Sequence, residues 1–194
     1  MILLLSYSLF LLKGEWMKKD RFHLYHIDMK YIRDLAKADD NVMSISPQIG
    51  KNTRPFVGVI VLCEGQRYCV PLTSPKAKHF NMKNDKDFTK VYGKNNKLIG
   101  CLNFNNMIPV DEDVLKVVDI KLCLGDKNGI KAYKNLMNDQ LDWCNENYEH
   151  VVRKAQKLYM LITEHPDNVK NLAKRCCDFK KLENVGYRTK RVDG

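Results

Sequence analysis

The clearest hydrophobic signal in the chain is residues 55–72, two apolar runs on either side of Glu64-Gly65-Gln66. Runs rich in Val, Ile and Leu that break at a Gly-containing turn predict a β-hairpin. Upstream, residues 22–27 alternate apolar and polar, as a first strand would. Asp28 then stands where an N-cap belongs, ahead of helical spacing over residues 29–35. Residues 38–53 are polar, with Pro47 and Gly50, and read as a loop. Residues 75–95 are rich in Lys, Asn and Asp and read as an excursion from the core. Further strands are expected over residues 97–104, at Met107-Ile108-Pro109-Val110 and in the apolar part of residues 114–124.

After the turn signal Asp126-Lys127-Asn128-Gly129 the period changes from two to that of a helix. Ile130, Tyr133, Leu136, Met137, Gln140, Leu141, Cys144 and Tyr148 trace one face. A second helix is expected over residues 148–163, with Val151, Val152, Ala155, Leu158, Tyr159 and Ile162 inward. Pro166 and Asp167 open a third helix, and Asp178 caps a fourth. A strand-rich first half and a helical second half predict an α+β fold. It is built on a small, strongly curved antiparallel sheet elaborated by several helices, mostly C-terminal.

Residues 1–12 form an uncharged apolar run, too short for a comfortable membrane span and without the basic flank of a signal peptide. Lys13-Gly14-Glu15 can be written AAA GGA GAA, a purine-rich sequence of the bacterial ribosome-binding type placed just before Met17. The expectation is a start at Met17, with residues 1–16 a mis-called leader and 17–194 a single domain; a cleaved or anchoring segment is the other reading.

The chain has 194 residues and a formal net charge of +10, which favours polyanionic partners such as nucleic acid; no membrane partner is expected. A generally lysine-rich soluble protein fits that balance equally well. Its seven cysteines are an odd number, scattered and without a Cys-x-x-Cys pair, which fits reduced, buried thiols in the cytoplasm. Cys63 and Cys69 flank the hairpin turn and are placed to face each other. The five histidines share no metal-ligand spacing, and no P-loop, dinucleotide-binding glycine pattern, nucleophile elbow or zinc-protease helix is present. Neither a metal nor a cofactor is expected.

What remains is a basic, hydroxyl-bearing cluster at the two ends of the hairpin. Lys51 and Arg54 precede it, Thr73, Ser74 and Lys76 follow it, and Lys78 and His79 lie just beyond. The ends of a hairpin converge, so these groups can share one pocket. Hydroxyls and an ammonium suit metal-free RNA cleavage, in which a 2′-OH attacks its own 3′-phosphate and the crowded phosphorane needs positive charge and donors. Tyr31 is placed to orient a base or phosphate. His79 is the acid–base candidate by residue type, although a solvated surface histidine fits its polar setting. Thr73-Ser74-Pro75-Lys76 also fits an ordinary capped turn with an exposed lysine.

The ordered blocks along the chain resemble the ToxN/AbiQ family of endoribonuclease toxins. They are Lys30-Tyr31-Ile32-x-x-Leu35, Arg54-Pro55-Phe56-Val57-Gly58-Val59 and Tyr68-x-x-Pro71-Leu72-Thr73-Ser74-Pro75-Lys76. Phe104-x-x-Met107-Ile108-Pro109, Tyr133-Lys134-x-Leu136-x-x-Gln140-Leu141 and residues 177–183 follow in the family's order. The resemblance implies a MazF/CcdB-like barrel core and a type III toxin. Such a toxin cuts RNA without metal, at adenine-rich sites, and leaves a 2′,3′-cyclic phosphate. It also implies a repeat RNA antitoxin, cut from its precursor by the toxin and closed with it into a ring-like assembly. Cellular or phage RNA would be the substrate and abortive infection the biology. Tyr31, Thr73, Ser74 and Lys76 would be catalytic, with Lys51 and Arg54 as pocket or RNA contacts. Some members carry a tyrosine and a lysine in the loop before the hairpin, where this chain has Gly50, Lys51 and Arg54. Two alternatives are a non-catalytic RNA-binding regulator and a ribonuclease toxin held by a protein antitoxin.

Overall fold

The computed structural model describes residues 21–43 and 57–192. The expectations for residues 1–16, for residues 44–53 of the loop, and for Lys51 and Arg54 lie outside these residues.

Strand β1 (Tyr25–Ile27) leads into helix α1 (Met29–Ala38) through Asp28. The Asp28 carboxylate accepts from the Tyr31 backbone N–H at 2.9 Å, which satisfies one of the orphan donors of the first turn. Ile32 and Leu35 on the inward face of α1 are fully buried.

The hairpin consists of β2 (Val57–Cys63) and β3 (Gln66–Thr73). Its turn is two residues long, Glu64 and Gly65, with φ of 48° and 80°. Positive φ at both central positions is the type I′ geometry, whose twist matches that of the strands; Gly65 adopts it freely, Glu64 at some strain. Gly58 serves a different need, because a Cβ there would collide with the Val70 carbonyl and the Cys69 sulfur. The register pairs Cys63 with Gln66 and Cys69 with Ile60, so the two cysteines sit on opposite faces of the sheet. They do not face each other, and all seven thiols are free.

β4 (Phe88–Tyr92), β5 (Leu98–Asn103), β6 (Ile108–Pro109) and β7 (Leu115–Val117) complete a seven-stranded antiparallel sheet of order β4-β5-β3-β2-β1-β7. The outer edge of β3 is divided between two partners. Tyr68 and Cys69 pair with β6, while Leu72 and Thr73 pair with β5. The path of pairings is open, ending at β4 and β7 among the described residues.

Strand β4 and the short helix α2 (Ala77–Asn81) fall inside residues 75–95, which the pattern assigns to an excursion. That expectation is overturned: Phe88, Thr89, Lys90 and Val91 are all buried. The strand is buried at four successive positions and so has no apolar–polar alternation to read, and the lysines around it give it a polar look.

The C-terminal half holds α3 (Asn128–Glu146), α4 (Tyr148–Glu164), α5 (Lys170–Ala173) and α6 (Phe179–Val192). The inward face of α3 is rotated from the expected one. Lys134, Met137, Gln140 and Cys144 are buried, whereas Ile130 and Tyr133 are exposed. Lys134 is tolerated there because its ammonium meets the Asp126 carboxylate at 3.1 Å and the Lys121 carbonyl at 2.7 Å. α4 behaves as expected, burying Val151, Ala155, Leu158 and Tyr159. Asp178 caps α6 by accepting from the Lys181 N–H at 3.0 Å.

α4 lies on β2, α3 on β4 and β5, and α6 on α1 and β6. Tyr68, Tyr159 and Phe179 form a ring cluster with centroids 5.4–5.8 Å apart. Glu183 of α6 closes it, accepting from the Tyr68 hydroxyl at 2.7 Å and the Tyr159 hydroxyl at 2.8 Å. A polar atom with a partner is the condition on which tyrosine is tolerated in a core.

Candidate active site

The register places Thr73 beside Cys101, and Cys101 beside Lys90, on three adjacent strands. Directly paired residues share a face, so these three side chains form a row across β3, β5 and β4. Asn103, two residues after Cys101, projects on the same face. Its amide donates to the Thr73 hydroxyl oxygen at 2.9 Å and fixes that hydroxyl from one side. The Thr73 hydroxyl points its own proton at the Cys101 carbonyl, 3.5 Å away.

β3 ends at Thr73, and Ser74-Pro75-Lys76 carries the chain over this row into α2. Ser74 is exposed and has no hydrogen-bond partner among the described residues. Lys76 is exposed and takes the N-cap position, with an extended backbone at φ −107° and ψ 162°. Two contacts lock it to the first turn of α2. The His79 N–H donates to the Lys76 carbonyl at 2.8 Å, and the Lys76 N–H donates to His79 Nδ1 at 3.0 Å.

His79 is 5% exposed, with its ring centroid 5.2 Å from that of Phe88 and its Nδ1 3.3 Å from the Cys101 sulfur. The expectation of a solvated surface histidine is overturned, because the ring is buried against Phe88 of the sheet. Burial, followed by the charges of Lys78, Lys76 and Lys90, holds its pKa below the ordinary histidine value. Burial likewise pushes the Cys101 thiol up to about 11.

Lys90 is the residue that sequence reasoning missed. It is 9% exposed, and its ammonium donates to the Phe80 carbonyl of α2 at 3.0 Å. The usable signal was Phe88-Thr89-Lys90-Val91, a strand pattern interrupted by one charge. Asn103 was missed because it sits at the end of a strand, where an Asn reads as a stop.

The other expected site residues among those described are Lys78 and Tyr31. Lys78 is exposed on α2, beside the row. Tyr31 is 9% exposed, and its hydroxyl donates to the Pro109 carbonyl at 2.8 Å. Burial, with Asp111 and Asp113 nearby, holds its phenol well above the usual tyrosine range. No hydrogen bond among the described residues joins Tyr31 to Thr73, Ser74 or Lys76. A groove of about 640 Å³ lies elsewhere, between the end of α1 and the start of α6, lined by Asp39, Asn41, Ile162, Lys174 and Asp178. It contains none of the Thr73–His79 segment. No group of three His, Cys, Asp or Glu side chains among the described residues is arranged to hold a metal ion.

The model of the family "Toxin ToxN, type III toxin-antitoxin system" matches residues 23–186. An endoribonuclease ToxN of Bacillus thuringiensis subsp. kurstaki is 36% identical over 169 residues, covering 85% of this chain and 82% of that protein. A second, from Pectobacterium atrosepticum, is 28% identical over 162 residues, covering 82% and 88%. A solved type III structure, reported for selective toxin inhibition by a non-coding RNA pseudoknot, superposes with a TM-score of 0.73 at 34% identity, over 88% of this chain and 99% of that one. The lactococcal anti-phage endoribonuclease AbiQ shares the fold, with a TM-score of 0.72 at 24% identity, over 89% of this chain and 99% of that one. The chain belongs to the ToxN toxin family of type III toxin–antitoxin systems.

Proposed function

We propose that this chain is an endoribonuclease toxin whose reaction centre is the end of β3, with Thr73, Ser74 and Lys76 as its catalytic groups. The observation that carries the reading is the arrangement of those residues. A fixed hydroxyl, a free hydroxyl and an exposed ammonium sit within four residues, on a backbone anchored at both ends. The 2′-oxygen of a ribose attacks the adjacent phosphorus, the bond to the 5′-oxygen breaks, and a 2′,3′-cyclic phosphate remains. Lys76 neutralises charge on the phosphorane, while Thr73 and Ser74 bind its oxygens or relay a proton between the 2′-hydroxyl and the leaving oxygen. Lys78 takes a flanking phosphate, and Phe80, 63% exposed, offers a ring to an unstacked base. The chemistry draws only on the chain's own groups.

Tyr31 is a supporting residue in this reading, since its hydroxyl is already given to Pro109. Lys51 and Arg54 remain candidates for RNA contact. We read the sheet, with β3 shared between β5 and β6, as a barrel-like core of the MazF/CcdB kind. In the cytoplasm the toxin cuts cellular or phage RNA. It is held by a repeat RNA, cut from its precursor by the toxin and closed with it into one assembly, and release of the toxin aborts phage infection. Relatives named as endoribonucleases favour this over a non-catalytic RNA-binding regulator.

The test is expression of the parent, Ser74→Ala and Lys76→Ala in a bacterium, with the 3′ ends of cut RNA analysed in parallel. The expected result is growth arrest by the parent alone, and fragments whose 3′ ends accept a tail only after the cyclic phosphate is opened and removed. Equal toxicity of all three proteins would refute the assignment.

A further inference from the structure

We propose that His79 and Lys90 are the positioning residues of the site, two struts that hold α2 on the sheet so that the Lys76 ammonium is presented to the phosphate. This rests on the reading of Lys76 given above, and it assigns His79 a role unlike that of an acid, a base or an RNA contact.

A helix of five residues cannot hold its own shape in water, because a single turn fixes many dihedrals for few hydrogen bonds. Something outside α2 must therefore fix it. His79 does so at its start. A backbone N–H can only donate, so the 3.0 Å contact from Lys76 requires a bare Nδ1 and places the ring proton on Nε2. The imidazole thus serves as a neutral acceptor that clamps the Lys76 backbone, seated against Phe88 and beside the Cys101 thiol. Lys90 does so at the far end, its buried ammonium tied to the Phe80 carbonyl, with its own N–H held by the Asn84 side chain at 2.8 Å. The groups facing His79 are Lys76 and Lys78 of its own segment, Lys90 of β4 and Cys101 of β5. Three are cations and the fourth is a neutral thiol, so none of these groups offers a carboxylate to a protonated ring. A proton on Nδ1 would displace the Lys76 N–H and release the clamp.

The experiment measures steady-state cleavage of one long single-stranded transcript by purified parent, Lys76→Ala, His79→Ala, His79→Asn and Lys90→Met, each checked for folding by thermal melting. Asn places an oxygen acceptor where Nδ1 sits but does not titrate. His79→Ala and Lys90→Met are expected to lose about 10²-fold in kcat with KM little changed, as for a misplaced catalytic group. His79→Asn is expected to regain most of that activity at pH 7. It should also keep activity at acid pH, where the parent falls. A His79→Ala enzyme within twofold of the parent, a change confined to KM, or an Asn variant as slow as the Ala variant while folded, each overturns the clamp. Full activity of Lys76→Ala instead overturns the underlying assignment of Lys76, which the separate His79 data distinguish.

Discussion

Asn103 decides which way the Thr73 hydroxyl points. Its amide proton occupies one lone pair of the hydroxyl oxygen, so the threonine proton must turn elsewhere. Asn103→Ala is expected to cut the cleavage rate about tenfold while costing only about 1 kcal/mol of stability, the net worth of one such hydrogen bond. Single-turnover kinetics beside a urea melt check both halves of that expectation. His79 and His26 make acid the weak side of the fold. Burial lowers both pKa values, with Lys116 adding to the effect at His26. The unfolded chain therefore takes up protons first, near the ordinary histidine value of about 6.5. The stabilising contribution is complete above that pH and is lost as pH falls toward the depressed folded values. The urea midpoint should drop below about pH 6.5, and less steeply in His79→Asn; an unchanged slope in that variant would count against the burial argument.

Among the elements, the hairpin was plain in the sequence because its pattern, turn and β-branched content all agree. The caps Asp28 and Asp178 were legible for the same reason, since an acidic residue before a helical stripe has one economical use. β4 was not legible, because a buried lysine and a polar stretch ahead of it mimic a loop. Nor was the rotation of α3, where Lys134 goes inward only because Asp126, on a separate turn, neutralises it. Long-range partners of that kind leave no periodic trace. At the hairpin turn, Glu64→Asn should stabilise the protein by about 0.5 kcal/mol, since Asn tolerates positive φ better. At Gly58, substitution by Ala should cost more than about 2 kcal/mol, because the obstructing atoms are a backbone carbonyl and a packed sulfur. Chemical denaturation of the two variants is the direct check, with opposite signs expected.

Across the whole molecule, the site is supported by parts of the chain distant in sequence. Arg175, just ahead of α6, donates to the buried Asp87 carboxylate at 2.6 Å and to Asp85 at 3.0 Å. Through Asp87 it thereby ties the C-terminal segment to the start of β4, one residue from Phe88 and three from Lys90. Arg175→Ala strands the Asp87 charge. The guanidinium is half exposed, so the cost is set at about 1–2 kcal/mol, below that of a fully buried pair. A loss of that size in the melting curve, with cleavage slowed in the same variant, is expected. The candidate site was therefore half legible. Thr73, Ser74 and Lys76 stood together in sequence, while Asn103 and Lys90 reach them only through strand pairing.

The burial of six of the seven free cysteines gives the molecule a set of internal clocks. Only Cys123 is exposed to a thiol reagent in the folded chain. Cys63 and Cys69 time the opening of the hairpin, Cys144 that of α3, and Cys176 and Cys177 that of the C-terminal segment. Cys101 times the lifting of α2 alone, since its sulfur lies beneath His79. Pulsed alkylation read by mass spectrometry should label Cys123 at once. If α2 breathes independently of the sheet, Cys101 should come next, ahead of the thiols in the helical half. The order of labelling would show whether the toxin can switch off its site without unfolding.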